Sequence, residues 1–149
     1  MYKKMKLIVK RADEKNKLLF QYAYAISDCL RFKADIRNDV YLAYKSKDKE
    51  KLKKELKNLS IVEKKINNLW KTHRKLWLYE RKPFGLEVLD VRYGGLISRL
   101  KVTRERISDY LAGRVKNIPE LEEKPQKIYG KFPYICLLYK NLDSITVIK

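Results

Sequence analysis

The sequence holds a single histidine, two cysteines and two tryptophans among its 149 residues, and none of these stands at a spacing that performs chemistry. His73 lies between Leu69 and Leu76 on a heptad seam, where an imidazole is satisfied as a core or boundary side chain. One histidine with no cysteine or carboxylate at ligand spacing makes no metal site. Cys29 falls inside an apolar periodic run and reads as a small buried residue; with Cys136 it makes no disulfide framework for a chain of this length. No Ser-His-Asp arrangement, phosphate-cradling glycine loop or zinc pattern is present. Trp70 and Trp77, seven apart, read as bundle filling rather than as a sugar-stacking platform. No catalytic, cofactor-binding or metal-ligating residue is therefore assigned.

Arginine is the residue type that stands out. Lysines outnumber arginines 26 to 10 overall, yet between Leu86 and Val115 there are five arginines and one lysine. Arg92, Arg99 and Arg106 recur every seven residues, beside Val88, Gly95 and Val102. A solvated helix face accepts lysine equally well, whereas rigid bidentate pairing with carboxylates is what arginine adds. Gly94-Gly95 interrupts the same stretch. Two glycines inside a helix cost roughly 1–2 kcal/mol relative to alanine, which close approach of another backbone would justify; a kink without a partner is the plainer alternative. Arg92, Arg99, Arg106, Gly94 and Gly95 make a candidate docking face, with Asp90 on the helix's opposite edge a weaker member.

The elements that must position these residues are helices. Leu18, Tyr22, Ala25, Cys29, Phe32, Ile36, Val40 and Ala43 alternate steps of three and four, which is one stripe of a helix. Phe20, Tyr24 and Leu42 lie outside it, and a helix apolar on two faces has neighbours on two sides. Leu52, Leu59, Ile66 and His73, with Val62, Leu69 and Leu76, form a heptad seam suited to antiparallel packing. Ser46 and Asp48 supply N-cap chemistry before it. Lys82-Pro83 ends it. A third run carries Leu86, Leu89, Tyr93, Leu96, Ile97, Leu100, Ile107, Tyr110 and Leu111 on one face, with Gly113 placed for a left-handed cap. The prediction is an all-α fold: an up-down-up bundle of three long helices, a short fourth helical segment near Ile118–Glu123, and an irregular C-terminal tail. Residues 1–17 form a basic lead, 18–123 the helical domain, and 124–149 a tail of no assigned role, in which Ser144–Ile148 is β-prone.

Composition sets limits on partners. The net charge is +18, with 24 basic against 10 acidic residues up to Lys82 and 12 against 8 after it. Such a field attracts polyanions non-specifically, although lysine-decorated helix surfaces from an AT-rich coding bias produce the same number. Residues 1–15 lack a secretory apolar core, and the longest apolar run, Phe132–Tyr139, is about a third of a membrane span. A reduced, cytoplasmic setting without membrane contact is expected.

The stretch Lys82-Pro83-Phe84-Gly85-Leu86-Glu87-Val88-Leu89-Asp90-Val91-Arg92-Tyr93-Gly94-Gly95-Leu96, followed by Arg99-Leu100 and Asp109-Tyr110-Leu111-Ala112-Gly113, resembles the C-terminal helical domain of bacterial exo-β-N-acetylhexosaminidases of glycoside hydrolase family 20. Leu30–Ile36 and Leu76-Trp77-Leu78 fit the same resemblance, which runs from about Leu18 to Glu123. It implies a parent enzyme that removes terminal N-acetylhexosamine from glycans with a (β/α)₈ barrel and a neighbouring Asp-Glu pair. The substrate's acetamido group would serve as nucleophile. This sequence has no alternating strand–helix units. Asp13-Glu14 lies in a charged stretch with no strand before it, whereas a barrel pair sits at a strand's C-terminal end. The expected role is thus accessory: docking on the parent's barrel, or on a second copy of the domain, with no cofactor and no specific nucleic acid. A free-standing basic bundle that binds nucleic acid non-specifically is the alternative.

Overall fold

The computed structural model describes residues 2–122, and these form five helices. In chain order they are α1 (Tyr2–Arg11), α2 (Glu14–Lys45), α3 (Lys49–Glu80), α4 (Leu86–Leu111) and α5 (Pro119–Glu122). The all-α, up-down-up expectation holds: α2, α3 and α4 are the three long helices, and α5 is the short segment that Pro119 opens. Residues 124–149, with their β-prone run and Cys136, lie outside the described residues. The basic lead contains α1, which lies against α2, and the expected boundary after Lys17 falls inside α2.

The ends of the helices follow from local chemistry. Asp13 adopts extended backbone before α2, and its carboxylate accepts the Asn16 side-chain amide at 3.0 Å. At the other end Lys47 takes a left-handed φ of 55°. The Asp48 amide then donates back to the Ala43 carbonyl and the Lys47 amide to that of Tyr44, closing a Schellman turn. Ser46 belongs to this ending, its hydroxyl on the Ala43 carbonyl at 3.2 Å, and not to the start of α3 as its position suggested. Asp48 alone caps α3, its side chain accepting from the Lys51 amide at 3.0 Å. Helix α4 ends on the same device as α2. Gly113 has φ of 74°, and the Arg114 amide reaches the Asp109 carbonyl.

Packing is organised by α3, which lies against both α2 and α4 while α2 and α4 approach each other only weakly. Leu52, Val62 and Ile66 of α3 and Ile107 of α4 are fully buried, joined by Cys29, Ile36, Val40 and Ala43 of α2. The α4 stripe is less buried than its periodicity suggested. Ile107 is buried, whereas Tyr93, Leu96, Ile97, Leu100, Tyr110 and Leu111 are only half-covered. Helix α3 covers most of the stripe, and α2 reaches it at fewer points, among them Tyr44 against Tyr110. Leu42, expected to meet a second neighbour, remains 52% exposed.

Asp28 of α2 is buried and pairs with Lys65 of α3, with Arg31 at 3.7 Å from its other oxygen. Lys65 and Arg31 also lie over the Phe32 ring, at 5.8 and 5.2 Å. Removing the cation leaves a buried carboxylate with only a distant partner. Lys65→Met is expected to lower unfolding free energy by about 2 kcal/mol, discounted because the lysine is one-third exposed. Adding Asp28→Asn should recover much of that loss. Urea denaturation of the two variants checks both statements.

Candidate docking face

Helix α4 begins at a turn that two tryptophans hold. Gly85 precedes it with φ of 88°, a conformation that favours glycine, and its amide donates to the Glu87 carboxylate at 2.9 Å. Trp77 lies beneath this turn: its indole N–H donates to the Lys82 carbonyl at 3.1 Å, and a Cβ built on Gly85 would meet its ring at 3.4 Å. The Arg81 guanidinium covers the same indole at 4.8 Å. One turn further, Trp70 donates to the Asp90 carboxylate at 2.8 Å. The tryptophans therefore join α3 to the start of α4, in line with the filling role expected of them. Asp90 is exposed and accepts this hydrogen bond within the domain. Phe84, between Pro83 and Gly85, is left 82% exposed.

Along α4, Arg92, Gly94, Gly95 and Arg99 are exposed. The helix runs unbroken through both glycines, and a Cβ added at either would meet nothing within 4 Å. No described part of this chain makes the close approach that the glycines suggested; they open onto space outside the domain. The arginine row divides. Arg92 and Arg99 stay on the outer edge, while Arg106 turns to α5, its Nε 3.3 Å from the Glu120 carboxylate. That ion pair, with Arg99 nearby, holds the Glu120 carboxyl below the usual range, after a larger backbone contribution. Arg104 faces the core side instead and pairs with Glu63 of α3 at 2.7 Å. Sequence spacing missed this residue, because its partner lies 41 positions away. Part of the arginine preference is thus internal: one fork fastens α4 to α3 and another fastens it to α5.

Tyr44, also missed by the sequence reading, anchors that corner. Its hydroxyl donates to Glu122 at 2.7 Å and accepts the Ile118 amide at 2.9 Å, and its ring meets Tyr110 edge-on. Ile118 is consequently buried although it sits in a connecting segment. An aromatic at the end of a helical stripe carries no signal of such a contact.

His73 is satisfied within the domain, as expected. Its Nδ1 lies 3.1 Å from the Tyr93 hydroxyl, and its ring packs on Tyr22 at 4.5 Å and edge-on to Trp77. Burial, with the Arg81 charge second, pushes its pKa down. Burial, followed by Tyr22 and Cys29, pushes Tyr93 up to about 12. Cys29 is buried and its thiol is likewise pushed up by burial, as befits an inert core residue. Among the described residues no three His, Cys, Asp or Glu side chains gather as metal ligands, and no helix is long and apolar enough to cross a membrane.

The depressed His73 pKa has a sign. The folded domain prefers neutral imidazole, so its contribution is present above the ordinary value of 6.5 and is lost as pH falls below it. The melting temperature should drop between pH 7.5 and 5.5, above the range in which the lowered carboxylates Asp48, Glu120 and Glu122 titrate. His73→Gln should flatten that dependence. Thermal melts of both proteins across this window provide the check.

The family described as Glycoside Hydrolase 20C C-terminal domain matches residues 1–134, which spans every described helix and the entire Lys82–Leu100 stretch. No curated protein matches the chain. With nine-tenths of its length matched, the chain belongs to the glycoside hydrolase 20C C-terminal domain family.

Proposed function

We propose that this chain is the non-catalytic helical accessory domain of a β-N-acetylhexosaminidase-like glycoside hydrolase, and that it acts by docking the outer edge of α4 against that enzyme's catalytic barrel. Removal of terminal N-acetylhexosamine from glycans would belong to the barrel. This chain would supply a rigid surface and no reacting group.

The observation that carries the reading is the burial of α4. Of its 26 residues only Ile107 is buried, whereas α2 and α3 each bury six. The half that carries the family stretch, Leu86 to Leu100, buries none. A helix whose wide apolar stripe stays partly accessible along its length has room for a further neighbour. Its edge offers what a protein partner uses: Gly94 and Gly95 admit a close backbone, and the arginine forks match carboxylates. A second copy is a poorer neighbour than an acidic surface, because each copy carries a net charge of +18.

Two measurements test this. The chain alone should not turn over a chromogenic N-acetylglucosaminide, and turnover that survives repurification and scales with protein would overturn the non-catalytic assignment. In the full-length parent, Arg92→Lys with Arg99→Lys keeps the charge and removes the forks. Association of domain with barrel should weaken about tenfold, equivalent to about 1.4 kcal/mol, while the isolated chain keeps its helicity by circular dichroism. Unchanged association and glycosidase activity would make the edge merely solvated. Tight DNA binding that persists near physiological salt with competitor present would instead favour a nucleic-acid role, since lysine-driven binding falls steeply with salt.

A further inference from the structure

An open cleft of about 340 Å³ lies between α2 and α4, bounded on one side by the α5 segment. Its floor is apolar: Ile36, Val40, Leu59, Leu100, Ile107 and Ile118. Its lining also carries three guanidiniums, those of Arg37, Arg99 and Arg106, and one carboxylate, that of Glu120. Glu120 pairs with Arg106 and has Arg99 nearby, so one carboxylate faces three guanidiniums in this lining among the described residues, and Arg37 from α2 and Arg99 from α4 are both exposed. Val102, 41% exposed, lies in the same lining. The cleft is fixed in shape by the Arg106–Glu120 pair and by the two Tyr44 hydrogen bonds that hold the α5 segment.

The cleft is continuous with the α4 edge. Arg92, Gly95, Arg99 and Val102 follow one another at steps of three, four and three, a single helical stripe that leads from the glycines into the cleft. We infer that the cleft is the socket for one large apolar side chain flanked by carboxylates, presented by an acidic segment of the parent's catalytic barrel domain. The inference rests on the docking reading above and adds its specificity determinant. The apolar floor takes the side chain out of water, and Arg37 and Arg99 grip the flanking carboxylates from opposite helices. A basic segment, or a second copy of this strongly basic chain, would place like charges against that pair.

Thiol reactivity in the full-length parent, with Cys136→Ser as background, tests the inference and separates it from the docking reading. Ser98→Cys reports on the exposed α4 surface beside the glycines, and Val102→Cys reports on the cleft; Cys29 is buried. Both thiols should alkylate rapidly in this chain alone and about tenfold or more slowly in the parent. Arg37→Glu lies on α2, away from the α4 edge. It should restore rapid alkylation at Val102→Cys and leave Ser98→Cys protected. Protection at Ser98→Cys without protection at Val102→Cys overturns the socket and leaves docking intact. Protection at neither overturns both. Protection at Val102→Cys that Arg37→Glu does not relieve overturns the carboxylate chemistry. Concentration-dependent protection in this chain alone identifies a second copy as the occupant and overturns the inference.

Discussion

Helix α3 packs extensively against both α2 and α4, while α2 and α4 meet through fewer side chains, and most of what is distinctive about the domain follows from that unequal cover. The heptad seam of α3 buries Leu52, Leu59, Val62, Ile66 and Leu76 on one broad face. Helices α2 and α4 are each held by α3 far more than by each other. A closed bundle would have covered the α4 stripe from two directions. Here α2 reaches α4 at few points, such as Tyr44 on Tyr110, leaving Leu96, Ile97 and Leu100 partly accessible and an apolar cleft beside them. The incompleteness of the bundle is therefore a geometric result of its packing and not a shortage of apolar residues.

Charge is managed by the same geometry. A net +18 on a small domain opposes compaction through self-repulsion. Most of the lysines stand on solvated faces, where screening weakens that cost. The few interhelical ion pairs are placed where they define alignment. Lys65 answers the buried Asp28 across α2 and α3, and Arg104 answers Glu63 across α3 and α4. Arg106 and Glu120 fasten the α5 segment. Each joins a different pair of elements, so together they specify how the parts sit more than they add stability.

The ends of the bundle are unlike. At the α3–α4 turn the tryptophans, His73, Tyr22 and Tyr93 make an aromatic joint from which the α4 helix departs at a fixed angle. At the other end, Tyr44 and Arg106 bring the chain back across the bundle and bury Ile118. Between these two fixed points α4 is a straight, partly covered rod. A rod held at both ends costs little to dock, because its conformational freedom is already spent.

The sequence by itself determined the helices, their order and much of their termination. Periodicity marked α2, α3 and α4, Asp48 and Gly113 marked ends, and Lys82–Leu100 marked the family, because each is written in neighbouring residues. It also showed that α4 is rich in arginine. It left α1 unmarked, although Met5, Ile8 and Val9 stand at helical spacing there, because so short a basic stretch reads as a lead to the first long helix. What each arginine does was decided by tertiary structure alone. Arg104 and Arg106 found carboxylates on α3 and α5, Asp90 was taken by Trp70, and Arg37 came to share a cleft with Arg99 from 62 positions away. Gly94 and Gly95, whose place in a helix suggested close approach of another backbone, face open space. Local spacing specifies which way a side chain leaves its own helix. Whether it meets a partner depends on where another helix was placed, and that is settled only when α2, α3 and α4 pack together.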